Sequence, residues 1–591
     1  MGKNKHTKKN TITRTNTRYQ ALYMIPILLL ALVYPFLAQY NSVPNPLLGN
    51  PTYYQTATLA DIFLYVKSQF LIFITITAIV IVGFDLYINK HSHSAILTNY
   101  RKFIPLVLYA VFIVLSTLFS ANKTLALNGR PGQFENMWIL LSYLCLCLFG
   151  YWYINNVENK STLLYLFLGG TLFMGLVCLL QFLGADPYIA MFASKNATIA
   201  VSGVYGGFYN PNYLGSYVNL ILPLLICLLI AFRSNKKMAI LLGTATALTI
   251  LGLIGSKTTG GIIGILLLSG FTILFLLFKK LHLSTTKFLV ALGILSALGI
   301  GLLTAHLSKA ATTDLYLYEP LHAIYTNDNN LEIHRGSYVF YIRTEHTPTN
   351  FYVKCTDENG HEIPTVVKDN TFCFEDEKYE LFSIRPFVLQ ELENIVAFEL
   401  KYGVTSWLFT NDYQDGTYYY ITPAGGFTKT TPENTSLGYV FTDTPKFMSG
   451  RGYIWSQSIP MLSDTLLLGY GPDNYAEHFP NHNFVAALRG GFASTFISKP
   501  HSMYLQMAIQ TGLPSLLAFL IFYLIYFVKS IRLYLTISLN DKHSFIGFGI
   551  FLGTIGYLLL GLINDSSITV APFFWLLIGM GCAMNQICSD K

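Results

Sequence analysis

The sequence predicts an all-α polytopic membrane protein of about twelve transmembrane helices, with an inserted extracytoplasmic β-sandwich-like domain. Three observations predict it. Of the 591 residues, 52% are apolar and only 12% are charged, about half the charged share of a soluble domain. The apolar residues fall in long blocks, each near the ~20 residues that cross a bilayer as a helix. One stretch, about 310–445, instead alternates apolar and polar residues with the period of a strand.

The blocks lie at roughly 20–38, 66–88, 102–120, 136–154, 162–183, 214–232, 238–255, 258–278, 287–307, 503–528, 545–563 and 567–588. Ser256-Lys-Thr-Thr-Gly-Gly261 separates two of them by a turn alone. The first apolar run is too long for a signal-peptide core and leads into no small-residue cleavage site, so it is expected to stay as the first helix. Positive charge sets the orientation. With the N-terminus inside, Lys3 to Arg18, Lys90, Arg101, Lys102, Arg233, Lys236, Lys237, Lys279, Lys280, Lys287, Lys529, Arg532 and Lys542 all fall inside. The short outer loops keep Lys123, Arg130, Lys195 and Lys257. Both termini are then cytoplasmic and the long 308–502 segment is outside. The net charge of +7 is mostly this bias; no nucleic-acid module is visible and no nucleic-acid partner is expected.

Five segments follow. Residues 1–19 form a basic cytoplasmic N-terminus, 20–309 hold helices one to nine, and 310–445 form the β-rich insert. Residues 446–502 are an outer loop, and 503–591 hold helices ten to twelve. In the insert, Ser337-Tyr-Val-Phe-Tyr-Ile-Arg343 and Asn350-Phe-Tyr-Val-Lys-Cys355 read as strands, and Asp357-Glu-Asn-Gly360 reads as a turn. Such a domain either orients a glycan or partner or serves as a spacer. In the outer loop, Ile454 to Leu462 reads as a short amphipathic helix lying on the membrane surface, anchored by Trp455. Cys355 and Cys373 are both in the insert, at a spacing that suits either a disulfide closing a short loop or two free thiols.

The chemistry concentrates where outer segment meets membrane. His501 in Ser498-Lys-Pro-His-Ser-Met-Tyr-Leu-Gln506 stands at the head of a span, followed by Tyr504, Gln506 and Thr511. An imidazole there can take a proton near neutral pH and activate a hydroxyl. Lys257 in Gly255-Ser-Lys-Thr-Thr-Gly-Gly261 between two tightly joined spans, Arg451 in Ser449-Gly-Arg-Gly-Tyr-Ile-Trp455, and the glycine turn Gly469-Tyr-Gly-Pro-Asp-Asn-Tyr475 with Asp473 lie on the same face. Two cations beside a titratable base suit an anionic lipid headgroup, since guanidinium grips phosphate oxygens in pairs. Taken singly each has a plainer reading: Lys257 as a snorkelling helix-end lysine, Arg451 as a solvated loop residue, and His501 as one surface histidine among several in that segment. Asn210 and Asn212 flank Pro211 just before a span, either as a turn or as a broken helix end lining a water-filled cavity. No Asp-x-Asp stands in the short outer loops, so a metal-independent reaction is expected, with no cofactor.

Together, Tyr209-Asn-Pro-Asn-Tyr-Leu-Gly215, Ser256-Lys-Thr-Thr-Gly260, Arg451-Gly-Tyr-Ile-Trp455, Leu468-Gly-Tyr-Gly-Pro-Asp-Asn-Tyr475 and His501-Ser-Met-Tyr-Leu-Gln506 resemble the O-antigen ligase/polymerase family of membrane glycosyltransferases. Leu115-Ser-Thr-Leu-Phe-Ser120, Asn128-Gly-Arg-Pro-Gly132 and Leu562-Ile-Asn-Asp-Ser566 fit the same pattern. The resemblance covers most of the membrane part and leaves out the insert. It implies a GT-C-like enzyme of the bacterial plasma membrane. Such an enzyme moves glycan from an undecaprenyl diphosphate carrier to a hydroxyl of an acceptor glycan, lipid or protein, with inversion. It implies that His501 is the general base and that Arg451 holds the diphosphate. Lys257 stands where many members carry arginine, keeping the charge but losing the paired contact. Arg130, Asn210, Asn212, Asp473 and Tyr504 are expected to support the site. Two other functions compete: a flippase for lipid-linked oligosaccharide, and a non-catalytic surface receptor acting through its β domain.

Overall fold

The computed structural model describes residues 20–48, 56–88, 100–157, 161–193, 203–314, 321–347, 350–390, 394–423, 425–430, 441, 444–482, 484–492 and 495–590. The basic N-terminus 1–19, Lys90 and Lys195 lie outside the described residues. A shorter apolar helix α1 (Ala21–Phe36) opens the chain, and strands β1 (Asn41–Pro44) and β2 (Thr58–Asp61) pair as an antiparallel hairpin after it. Eight apolar helices follow: α2 (Leu64–Ile88), α3 (Arg101–Leu118), α4 (Met137–Asn156), α5 (Leu163–Phe182), α6 (Pro211–Ala231), α7 (Lys236–Ser256), α8 (Thr259–Lys280) and α9 (Thr285–Ala305). These eight and three more near the C-terminus make 11 described helices long and apolar enough to cross a membrane.

Helix α1 is not regular. Pro26 enters its first turns, Leu29–Val33 widens to a π-turn, and Tyr34–Phe36 tightens to a 3-10 turn at Pro35. The helix stops here, so its last carbonyls have no helical partner. Buried Lys67 of α2 gathers them, its Nζ donating to Tyr34, Pro35 and Leu37 oxygens at 2.9, 2.9 and 3.0 Å. Elsewhere helices meet closely where a side chain is absent. A Cβ on Gly579 would come 1.9 Å from the Cys147 carbonyl, and one on Gly553 2.1 Å from that of Leu220. Small residues permit this approach, which is how apolar helices gain packing energy in lipid.

The insert is two antiparallel sheets. Strands β3 (Leu321–Thr326), β4 (Leu331–Arg335), β5 (Tyr338–His346), β6 (Phe351–Asp357) and β7 (Glu362–Ile363) form the first, in that order. Strands β8 (Thr365–Lys368), β9 (Thr371–Phe374), β10 (Phe382–Leu389), β11 (Ile395–Tyr402), β12 (Thr405–Thr410), β13 (Tyr419–Ile421) and β14 (Phe427–Thr428) form the second. The chain changes sheet at Pro364, which has no N–H to leave unpaired. Ile333, Phe340, Ile342, Ile384, Phe398, Leu400 and Phe409 fill the space between the sheets. Cys355 and Cys373 are free thiols here, correcting the disulfide alternative. Cys355 points into the core of the first sheet, whereas Cys373 is out of step with Phe374, which faces inward from the second.

After the insert come α10 (Phe447–Ser458), α11 (Phe484–Gly490), α12 (Met503–Thr511), α13 (Leu513–Thr536), α14 (Lys542–Leu560) and α15 (Ala571–Ser589). Two expectations are corrected. Helix α10 does not lie on a surface: Ile454, Ser456, Gln457 and Ser458 are buried, and Trp455 Nε1 donates to the Pro500 carbonyl at 2.9 Å. Its serines are satisfied inside the protein, Ser458 meeting the Tyr475 hydroxyl at 2.7 Å. The tenth span does not start at 503. Gly512, with φ 95 and ψ 156, ends α12, and Pro514 starts α13 afresh. Helix α11 joins two bodies. Phe484 stacks on Tyr420 of the sandwich at 4.1 Å between centroids, while Ala487 packs with Tyr453 and Ile454 of α10.

Gly512→Ala is expected to lower the thermal midpoint in detergent. The backbone conformation alone costs about 1–3 kcal/mol for a residue with a side chain, and the added Cβ would meet the Leu467 carbonyl at 2.6 Å. Alkylation of folded, unreduced protein is expected to label Cys373, with Cys355 reacting only on unfolding; a Cys355–Cys373 disulfide in the peptide mass spectrum would contradict this.

Candidate active site

The alternation of helices brings the connections after β2, α3, α5, α7, α12 and α14 to one end of the bundle. The opposite end carries Lys102, Lys279, Lys529 and Lys542. At the first end the centre is the connection from α14 to α15, residues 561–570. It turns sharply, Ile563 and Asn564 both donating back to the Leu560 carbonyl at 3.0 and 2.8 Å. The next residues are buried, each with a different partner.

Arg451 takes the first position. Its Nε donates to the Ile563 carbonyl at 2.7 Å, and its terminal nitrogens reach the Met448 carbonyl at 2.9 Å and Asn564 Oδ1 at 3.4 Å. His501 takes the next: its Nδ1 lies 2.8 Å from Asp565 Oδ2. Ser566 completes the row. Its N–H donates to Gln506 Oε1 at 2.8 Å and its hydroxyl to Glu135 Oε1 at 2.7 Å. The Met503 N–H, at the start of α12, donates to the Gly561 and Asn564 carbonyls at 2.8 and 2.9 Å. The arginine and the histidine therefore belong to one site.

The Asp565 side chain is 1% exposed and that of His501 is 42% exposed. Burial pushes the Asp565 carboxyl up, but the charge and hydrogen bond of His501, with Lys499 and Arg451 nearby, outweigh burial and hold it below its ordinary value. An ionised Asp565 can only accept, so in the neutral ring, the form that acts as a base, it favours the proton on His501 Nδ1 and leaves Nε2 as the acceptor.

A second layer backs the first. Glu135 is fully buried and also accepts from Tyr143 Oη at 2.6 Å and Gln506 Nε2 at 2.9 Å. Burial raises its pKa, partly countered by those hydrogen bonds. Asp473 accepts the Arg130 and Glu135 backbone N–H groups at 2.9 and 3.3 Å. Arg130 is buried as well, and its guanidinium reaches the Ser498 carbonyl at 3.2 Å. The backbone is strained throughout: Phe134, Tyr209, Lys257, Met448, Ser449, Asp473 and His501 all have positive φ. Non-glycine residues accept this only where surroundings enforce it, commonly at functional sites.

The other expected residues divide. Asn210 caps α6, accepting from the Asn212 N–H at 2.8 Å, and the Asn212 carbonyl faces Asn564 Nδ2 at 3.5 Å. Both thus shape the wall beside the 561–570 connection. Tyr504 points away, bracing α12 by donating to the Leu558 carbonyl at 2.8 Å. Lys257 is a left-handed cap of α7 on the same end, and its side chain is exposed with no partner among the described residues. Sequence reasoning did not assign Asp565, Glu135, Gln506 or Lys499. Asp565 had a visible signal, the polar Asn564-Asp-Ser566 between two apolar runs, and Lys499 stood two residues before His501. Glu135 showed only as the acid ahead of α4, and Gln506 only as one of the polar residues that follow His501.

This is a multi-pass membrane protein with an imidazole, a carboxylate and a guanidinium gathered at one bundle end. Residues 244–520 match the model of the family described as O-Antigen ligase, and the match supports membership of that family. The matched stretch runs from α7 into α13, so it includes Lys257, Arg451, Asp473 and His501; Asp565 lies beyond it and is joined to it through His501. No curated protein matches the chain. The family match supports a membrane enzyme that transfers glycan between a lipid-linked donor and an acceptor.

Burial lifts the Asp473 carboxyl from 3.8 to about 7, against the opposing pull of Arg130. The stability due to neutral Asp473 is then complete below 3.8 and is lost as pH rises through about 7. Asp473→Asn is expected to flatten the fall in thermal midpoint between about pH 4 and about pH 7 relative to the unaltered protein.

Proposed function

We propose that this protein is a GT-C-like glycosyltransferase acting at the outer face of the bacterial plasma membrane, with both termini cytoplasmic. It transfers or polymerises glycan from undecaprenyl diphosphate onto an acceptor hydroxyl. The observation that carries the reading is the 2.8 Å contact of His501 with buried Asp565, beside Arg451 on the same connection. His501 Nε2 takes the proton of the acceptor hydroxyl as its oxygen attacks the anomeric carbon. Asp565 holds the ring in orientation and stabilises the imidazolium that forms. The bond to the diphosphate breaks as the new glycosidic bond forms, so the anomeric centre inverts. Negative charge grows on the departing diphosphate oxygen, where Arg451 offsets it. Lys257, exposed at the rim, meets the outer part of the donor. No step in this scheme calls for a metal.

Purified protein in detergent, given carrier-linked oligosaccharide and acceptor, tests the reading, because detergent leaves no membrane to flip across. His501→Ala is expected to lower the transfer rate by about 10²–10⁴. Asp565→Asn is expected to give a loss of comparable order, since the neutral amide no longer stabilises the imidazolium. Full transfer by His501→Ala at normal protein level would end the proposal. Mass analysis of surface glycan then separates the two forms of the reaction: single units accumulate without a polymerase, and finished polymer stays on the carrier without a ligase.

A further inference from the structure

We propose that Lys499 is a binding residue for the donor diphosphate, a role that rests on the reading just given and that sequence analysis did not assign. Its surroundings set it apart from a snorkelling lysine. Only 9% of it is exposed, and the backbone on both sides is clamped. Asn481 brackets Ile497, donating to its carbonyl at 3.0 Å and accepting from its N–H at 2.8 Å. Arg130 holds the Ser498 carbonyl, and Trp455 holds that of Pro500. The ammonium is thereby carried to one place, beside His501, rather than sampling a long arc. Preorganisation of this kind lowers the cost of binding an anion.

The ammonium is also under-used. Of its three N–H groups one donates to the Tyr213 hydroxyl, at 3.0 Å, and the ring of Tyr213 lies 5.5 Å from Nζ. Tyr213 is neutral, so no opposite charge is supplied there. Glu135, Asp473 and Asp565 all feel the Lys499 charge, yet among the described residues none forms an ion pair with it. A buried cation without a paired anion is costly unless an anion arrives. With one donor engaged by Tyr213, Lys499 has two N–H groups left to meet the oxygens of a diphosphate. Lys257 offers no such preparation, being exposed on a turn.

The test is equilibrium binding to the purified full-length protein in detergent, with undecaprenyl diphosphate, inorganic pyrophosphate and undecaprenol as separate probes. Lys499→Ala is expected to weaken undecaprenyl diphosphate and pyrophosphate about tenfold, the order of one charge-assisted hydrogen bond. Undecaprenol binding is expected to stay unchanged, which also reports an intact fold. Lys499→Arg is expected to restore most of the loss. If Lys499→Ala bound undecaprenyl diphosphate normally while Arg451→Ala weakened it, the Lys499 assignment alone would fall. If neither variant weakened it, the donor reading of the whole site would fall too. An equal loss for undecaprenol would mark Lys499 as a structural counter-charge and overturn the proposal.

Discussion

The ionised carboxylate of Asp565, kept charged inside the protein, is the constraint around which the bundle end is built. A lone carboxylate at 1% exposure would take up a proton to escape burial. It stays ionised because partners are brought to it from elsewhere in the chain: His501 in hydrogen-bond contact, with the cations Arg451 and Lys499 close by. Those residues sit between 64 and 114 positions away in sequence, so the site exists only once α12, α14 and the outer loop have packed. The network behind it, through Ser566, Gln506, Tyr143 and Glu135, holds the connection in register with α12 and α4.

The same need explains the strained backbone. Met448 and Ser449 adopt left-handed conformations just before Arg451 and turn its side chain onto the Ile563 carbonyl. His501, with φ 50, turns the imidazole off the axis of α12, so that one nitrogen meets Asp565 and the other stays accessible. A regular helix through either position would aim both groups elsewhere. The cost, of order 1–3 kcal/mol per residue, is carried by the surrounding hydrogen bonds and by the apolar cluster of Tyr453, Ile454, Tyr475 and Ile509.

Much of this was legible in sequence, for physical reasons. A span of about twenty apolar residues has few alternatives in a bilayer, so α2 to α9, α14 and α15 could be placed to within about four residues. Strand alternation is as direct, and the sandwich followed from it. His501 and Arg451 stood out because charged or titratable groups at a membrane edge need a reason. The misses have a common origin. The break at Gly512 was hidden because α12 is itself apolar enough to read as the start of α13. Trp455 was taken for an interfacial anchor because its tilt towards the Pro500 carbonyl is a tertiary fact. Asp565, Glu135 and Lys499 depend on contacts between distant segments, which no local period encodes. The side-chain directions of Cys355 and Cys373 likewise depend on which sheet each strand joins.

Helix α11 has a steric consequence. Phe484 and Val485 belong to the sandwich interior, while Ala487 belongs to the packing around α10. One short segment is thus rooted in both, and the sandwich cannot pivot away without tearing two apolar surfaces open. It stands as a fixed parapet rooted on the helix that carries Arg451. Under the reaction proposed above, an acceptor or product passing on that side meets a wall that does not yield.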